Sequence, residues 1–89
     1  MGMVSDGDYV AIFNSIHRVM KAEKTLKGLG FSILLIPVPR ALASDCGLAI
    51  RYAAADRKDV EQALAGAGLT PEEVYVKSGD AYAIIQGKL

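Results

Sequence analysis

The chain has 89 residues, of which 52% are hydrophobic, and its ten basic side chains balance its ten acidic ones. This length corresponds to one domain, residues 1–89, and the apolar content argues against disorder. The balanced charge argues against the binding of nucleic acid or of an anionic membrane.

A single cysteine limits the kinds of site that the chain can build. Cys46 has no second cysteine for an internal disulfide, and a structural zinc site usually needs several thiolates. A persistent thiol is typical of a reducing compartment. Residues 1–10 lack the features of a signal peptide, and the longest apolar run, residues 31–38, is too short to span a bilayer. We therefore expect a cytoplasmic protein with no metal and no cofactor.

The first predicted helix directly follows a strand. Asn14 or Ser15 can cap it by accepting a hydrogen bond from a backbone N–H group, and glycines near residue 30 end it. Glu23 falls near the centre of its apolar stripe, where we expect it to pair with Lys27 or Arg51, or to reach the stripe's edge. Helical spacing assigns these residues to the stripe: Ile16, Val19, Met20, Leu26 and Leu29.

The rest of the chain predicts strands around a second helix. That helix covers residues 56–65, is capped by Asp56 and ends at glycines. Residues 78–80, SGD, predict a hairpin turn. Short apolar runs predict five strands, at residues 9–13, 31–38, 48–55, 74–77 and 81–86.

This order of elements predicts an α+β fold. A βαββαβ chain folds most simply as a ferredoxin-like sandwich, with two helices on one face of an antiparallel sheet. Residues 9–77 form that core, and residues 81–86 add an extra C-terminal hairpin strand. In this topology the loop between the second and third strands lies at the end of the sheet where the first helix begins. Residues 40–47 are thus expected near Ser15 and His17.

Cys46 lies in that loop, and its predicted surroundings favour a reactive sulfur. A thiol becomes a nucleophile as the thiolate, which helix N-termini and nearby cations stabilise. Such a site can hold a thiolate, or a persulfide or selenide adduct built on it. A serine hydroxyl can donate a hydrogen bond to the sulfur, and a neighbouring glycine leaves room for a partner's backbone. The predicted supporting residues are Ser15, His17, Arg40, Ser44 and Gly47.

Each of these residues also has an ordinary structural interpretation. Cysteine is among the most buried residue types and often serves as a small apolar side chain. Arg40 can be a solvated loop arginine, and His17 a surface residue of the helix. Ser44 and Asp45 are common turn formers.

Three stretches of the chain form a distinctive combination. They are YVAIFNSIHRVMKAEKTLKGLG, LLIPVPRALASDCGLAIRY, and the segment from VEQALAGAGL to EVYV, and together they span residues 9–77. The specific part is the PR…S-x-CG loop, with H…KAEK-x-LK upstream. In this combination the chain resembles a bacterial family, the DUF3343 or Se/S carrier-like proteins.

The resemblance implies a compact domain whose cysteine carries activated sulfur or selenium. Two residues depart from the family's pattern, because Ile16 stands where a small hydroxyl residue is usual and Asp45 where serine is frequent. Both departures weaken the stabilisation of a thiolate. The family's pattern coincides with Ser15, His17, Lys21, Glu23, Lys24, Pro39, Arg40, Ser44, Cys46 and Gly47.

Two functions from different classes are compatible with the chain. As a carrier, it takes sulfur or selenium onto Cys46 from a donor such as a cysteine desulfurase, and passes it to an acceptor protein. As an alternative, it is a non-enzymatic ferredoxin-like module for ligand binding or regulation, in which Cys46 only lines a pocket. A multiple-turnover enzyme is less favoured, since no oxyanion hole or orienting third residue is identifiable. The C-terminal hairpin also offers an edge for homo-oligomer formation.

Overall fold

A computed structural model describes residues 3–42 and 46–87 of the chain. The elements follow the predicted order, βαββαβ with a further hairpin strand. They are β1 (Tyr9–Ile12), α1 (Ile16–Gly28), β2 (Leu34–Pro37), β3 (Leu48–Tyr52), a 3₁₀ turn (Ala54–Asp56), α2 (Arg57–Gly66), β4 (Glu73–Ser78) and β5 (Ala81–Gln86).

The five strands form one open antiparallel sheet in the order β2-β3-β1-β4-β5. The central strand β1 pairs with β3 through Tyr9 opposite Tyr52 and Ile12 opposite Ala49. Its other edge pairs with β4. This arrangement is ferredoxin-like with β5 as an added edge strand, which confirms the predicted fold.

The sheet has two differently covered faces, because successive side chains of a strand point to opposite sides. Both helices pack on one side, which we call the helix face, against residues such as Ala11, Ile50 and Val74. The other side, which we call the open face, carries a smaller buried cluster. That cluster consists of Val4, Val10, Ile12, Ile36 and Ala49, with Val38, Leu42, Tyr75 and Tyr82 packed against it.

The buried stripe of α1 differs from the predicted one. Val19, Ala22 and Leu26 are fully buried, whereas Ile16, Met20 and Leu29 are 43%, 44% and 62% exposed. Each helical residue turns the side-chain direction by about 100°, so a stripe centred on Val19 and Leu26 leaves Met20 beyond its edge. The pattern of large apolar residues overlooked Ala22, whose small side chain still fills a place in this interface.

Glu23 lies at the edge of that stripe and forms one of its predicted ion pairs. Its Oε2 accepts from Lys27 Nζ at 3.0 Å, and its side chain is only 18% exposed. The pairing with Lys27 is confirmed. The alternative pairing with Arg51 is wrong, because Arg51 belongs to the open face, where its Nη1 lies 3.5 Å from Asp8 Oδ2.

The two helices begin differently and end alike. Ser15 caps α1, with its hydroxyl accepting from the Arg18 N–H at 3.2 Å. Asp56 precedes α2 but makes no side-chain capping bond, so that prediction is wrong; the 3₁₀ turn gives it φ −100° and ψ 0°, away from the extended backbone of a capping residue. Two residues after its last helical residue, each helix is followed by a glycine of positive φ, Gly30 or Gly68. The residue after each glycine donates back to the last turn, as in a Schellman motif.

Candidate functional site

The connection between β2 and β3 places Cys46 directly before β3. Its ends are tied by a hydrogen bond from the Val38 N–H to the Gly47 carbonyl at 3.0 Å. Gly47 has φ +75°, a left-handed conformation that side-chain-bearing residues rarely adopt. Apart from its two chain neighbours, no described residue would have an atom within 4 Å of a Cβ placed on Gly47. The glycine is therefore required by its backbone conformation and not by a lack of space among the described residues.

The Cys46 sulfur lies where β1 leads into α1. Its Sγ is 3.1 Å from the Leu48 carbonyl oxygen and 3.4 Å from the Phe13 carbonyl oxygen. The side chain is partly buried and packs against the cluster of the helix face. Phe13 follows β1 and comes two residues before the helix cap Ser15. The topology thus brings Cys46 to the start of α1, as expected from the order of the strands.

Both contacts join the sulfur to carbonyl oxygens, which accept hydrogen bonds, so an S–H group is the donor toward this pair.

The predicted helix-end residues lie at the start of α1 and have different surroundings. The Ser15 hydroxyl is engaged in capping, through its bond with the Arg18 N–H. His17 is exposed on the first helical turn. That turn contains no acidic residue, so no carboxylate there neutralises the positive end of the helix dipole.

The structure assigns Arg40 to a different environment from Cys46. Arg40 is exposed and lines a cleft of the open face, beside Val4 and Ile36. Cys46, in contrast, packs against the cluster of the helix face. Ser44 and Asp45 lie outside the described residues.

The cleft itself was not indicated by any sequence motif. It has a volume of about 410 Å³, and it lies along the β2 side and the N-terminal segment. Its lining includes Ile36, Val38, Arg40, Lys77 and Tyr82, which come from distant parts of the chain. Because side chains alternate in direction along a strand, the sequence could have placed Ile36 of β2 and Lys77 of β4 on the same face of the sheet. Their convergence with Arg40 depends on the packing of the N-terminal segment and the loop.

A cluster of polar and aromatic side chains, which we call the tyrosine cluster, lies at the opposite end of the helix face from Cys46. The Tyr52 hydroxyl donates to Glu61 Oε2 at 2.9 Å, and Arg57 Nε donates to the same oxygen at 3.1 Å. The Arg57 guanidinium also lies 4.7 Å from the centre of the Tyr9 ring, which stacks on Tyr52. Burial, followed by the hydrogen bond to Glu61, raises the pKa of Tyr52 far above its ordinary range. This cluster ties the start of α2 to β1 and β3.

Residues 3–42 and 46–87 offer neither a candidate membrane-spanning helix nor a candidate metal site. Neither helix in these ranges has the length and hydropathy that a bilayer span requires. The same ranges contain no group of three or more His, Cys, Asp or Glu side chains arranged to hold a metal ion.

Comparison with known proteins supports the resemblance seen in the sequence. Searches of curated proteins and of solved structures found no significant match. A family model with the description "Putative Se/S carrier protein-like" matches residues 8–76. This match covers the whole of the βαββ part, together with α2 and most of β4, and it includes both Cys46 and the start of α1. The chain therefore belongs to the family of Se/S carrier-like proteins.

Proposed function

We propose that the protein carries a sulfur or selenium atom on Cys46. The observation that carries this proposal is the position of the sulfur, partly exposed at the end of the sheet where α1 begins. A sulfur sealed in the core would not be reachable by a partner, and one at the other end of the sheet would lie away from the positive end of the α1 dipole. Membership of the Se/S carrier-like family supports the same function.

The transfer requires no oxidant, since the donor already holds sulfur in the persulfide state. The Cys46 thiolate attacks the outer sulfur of a donor persulfide. A new S–S bond forms on Cys46, and the S–S bond of the donor breaks. The donor leaves as a thiolate and takes up the proton that Cys46 released. Delivery to an acceptor repeats this exchange in the other direction.

The sulfur of Cys46 has hydrogen-bond partners within the protein. Its S–H group lies within hydrogen-bond distance of the carbonyls of Phe13 and Leu48. A docking protein that supplies a base or hydrogen-bond donors would draw the sulfur outward. Gly47 has no side chain, which leaves a partner's backbone room to approach beside Cys46.

The proposal is tested by loading the protein with a cysteine desulfurase and cysteine, followed by intact-protein mass spectrometry. We expect a gain in mass of one sulfur atom on wild type and none on Cys46→Ser. A matched control moves the thiol, by combining Cys46→Ser with Ser32→Cys, since Ser32 is exposed and precedes β2. A carrier site at Cys46 predicts loading of wild type but not of the relocated thiol.

The result also separates the carrier from the alternative of a ligand-binding module. If Cys46 gains no sulfur from either a desulfurase or a small-molecule persulfide, the carrier function is refuted. Equal loading of the relocated thiol would show that any exposed cysteine suffices and that the site contributes nothing. Cys46 is not among the residues that line the cleft of the open face, so binding in that cleft is a separate question.

A further inference from the structure

We propose that the cleft of the open face binds an organic anion with an apolar body. This inference does not depend on Cys46 or on sulfur transfer. The cleft measures about 410 Å³, which lies within the range of about 300–1,000 Å³ typical of small-molecule sites. Its floor is apolar, with Ile36 fully buried and Val38 partly buried beside it.

The polar groups that line the cleft are those that an anion needs. Arg40 and Lys77 line it, and none of the described lining residues is acidic. The two cations come from different elements, the loop after β2 and the strand β4. Their convergence on one apolar cleft favours a ligand that combines a negative group with an apolar surface.

Lys77 is held in position for this role. Its ammonium group lies 5.7 Å from the centre of the Tyr82 ring and donates to the Gly79 carbonyl. An ammonium has three N–H donors, so this contact leaves others for a ligand. The Tyr82 hydroxyl, whose pKa is raised by burial, is protonated at neutral pH like that of any tyrosine and can donate a hydrogen bond.

The nearby carboxylate of Asp6 does not cancel this arrangement. Asp6 Oδ1 accepts from the Gly79 N–H at 2.6 Å, at the turn between β4 and β5. It is thus fixed on the backbone of the hairpin and is not among the residues that line the cleft. The described lining thus offers an anion in the cleft two cationic residues and no carboxylate.

The test compares two fluorescent probes that differ chiefly in charge. 8-Anilinonaphthalene-1-sulfonate carries a sulfonate, and N-phenyl-1-naphthylamine has the same aromatic framework without it. We expect wild type to bind the sulfonate more tightly than the neutral probe. Combining Arg40→Gln with Lys77→Gln should weaken sulfonate binding about tenfold or more, since a hydrogen bond to a charged group contributes about 1.5–3 kcal/mol. Binding of the neutral probe should stay the same.

A matched control removes a cation elsewhere. Lys58→Gln alters an exposed lysine of α2, on the other side of the sheet, and should leave sulfonate binding unchanged. Amide shifts in NMR spectra should change at Val38 and Tyr82 when the sulfonate binds. Equal affinity for both probes, an equal loss in Lys58→Gln, or shifts confined to the helix face would each overturn the proposal. So would sedimentation data showing that a second copy of the chain covers the cleft and excludes the sulfonate.

Discussion

Replacing Gly47 by alanine tests whether the backbone beside Cys46 is as constrained as its φ of +75° indicates. A residue with a Cβ in the left-handed region costs about 1–2 kcal/mol. Alanine also restricts the unfolded chain, which offsets about 0.4–1 kcal/mol of that cost. Beyond its two chain neighbours, no described residue has an atom within 4 Å of the new Cβ, so those residues add no steric clash. We therefore expect Gly47→Ala to lower the free energy of unfolding by about 1 kcal/mol.

The same substitution in α1 should act in the opposite direction. Gly28 is helical, does not have a positive φ, and would also carry a Cβ with no neighbour within 4 Å. We expect Gly28→Ala to stabilise the protein by about 0.4–1 kcal/mol, since the helical backbone accepts alanine without strain. Both variants remove a glycine from open space, and they differ only in backbone conformation.

Urea unfolding followed by circular dichroism measures both changes. In a domain of this size, a change of 1 kcal/mol corresponds to a shift in Tm of about 4–8 °C. The reasoning is refuted if Gly47→Ala matches or exceeds wild type, or if Gly28→Ala is destabilised to the same extent. A further readout is sulfur loading of Cys46, which should fall in Gly47→Ala if the turn positions the thiol.

The tyrosine cluster and the corrected helix stripe give further predictions. Because Tyr52 has a folded pKa well above the unfolded value of about 10, its contribution to stability is complete below that pH and is lost as the pH rises further. Tyr52→Phe should destabilise the protein by about 1 kcal/mol at pH 7, through loss of the bond to Glu61, and should lessen the alkaline decline; an unchanged decline in urea unfolding at pH 9–11 would contradict this. Leu26→Ala, in the core, should cost about 2–5 kcal/mol, whereas Met20→Ala, 44% exposed, should cost under about 1 kcal/mol. Similar losses on thermal unfolding would mean that the stripe faces another way.

Much of the fold can be predicted from local sequence patterns, without knowledge of the tertiary structure. Runs of β-branched and aromatic residues mark the strands, and Gly30 and Gly68 mark the helix ends because only glycine adopts their left-handed φ readily. The order of elements then favours one topology, and that topology brings the loop with Cys46 to the start of α1. Asp56 shows the limit of such patterns, since a 3₁₀ turn removes the extended backbone that its capping bond requires.

The burial of individual side chains was decided by packing between distant segments. Local spacing could not rank Met20 against Ala22, because the rotation of α1 depends on the fit between its surface and the sheet. Likewise, their shared loop suggested Arg40 as a neighbour of Cys46, whereas packing makes Arg40 line the cleft of the open face and Cys46 pack against the cluster of the helix face. The sequence alone determined the elements, their order and the end of the sheet where the thiol lies, since these follow from local conformation and chain connectivity. Only the tertiary structure decided which groups the sulfur contacts and which residues form the cleft, because both depend on packing between segments far apart in the chain.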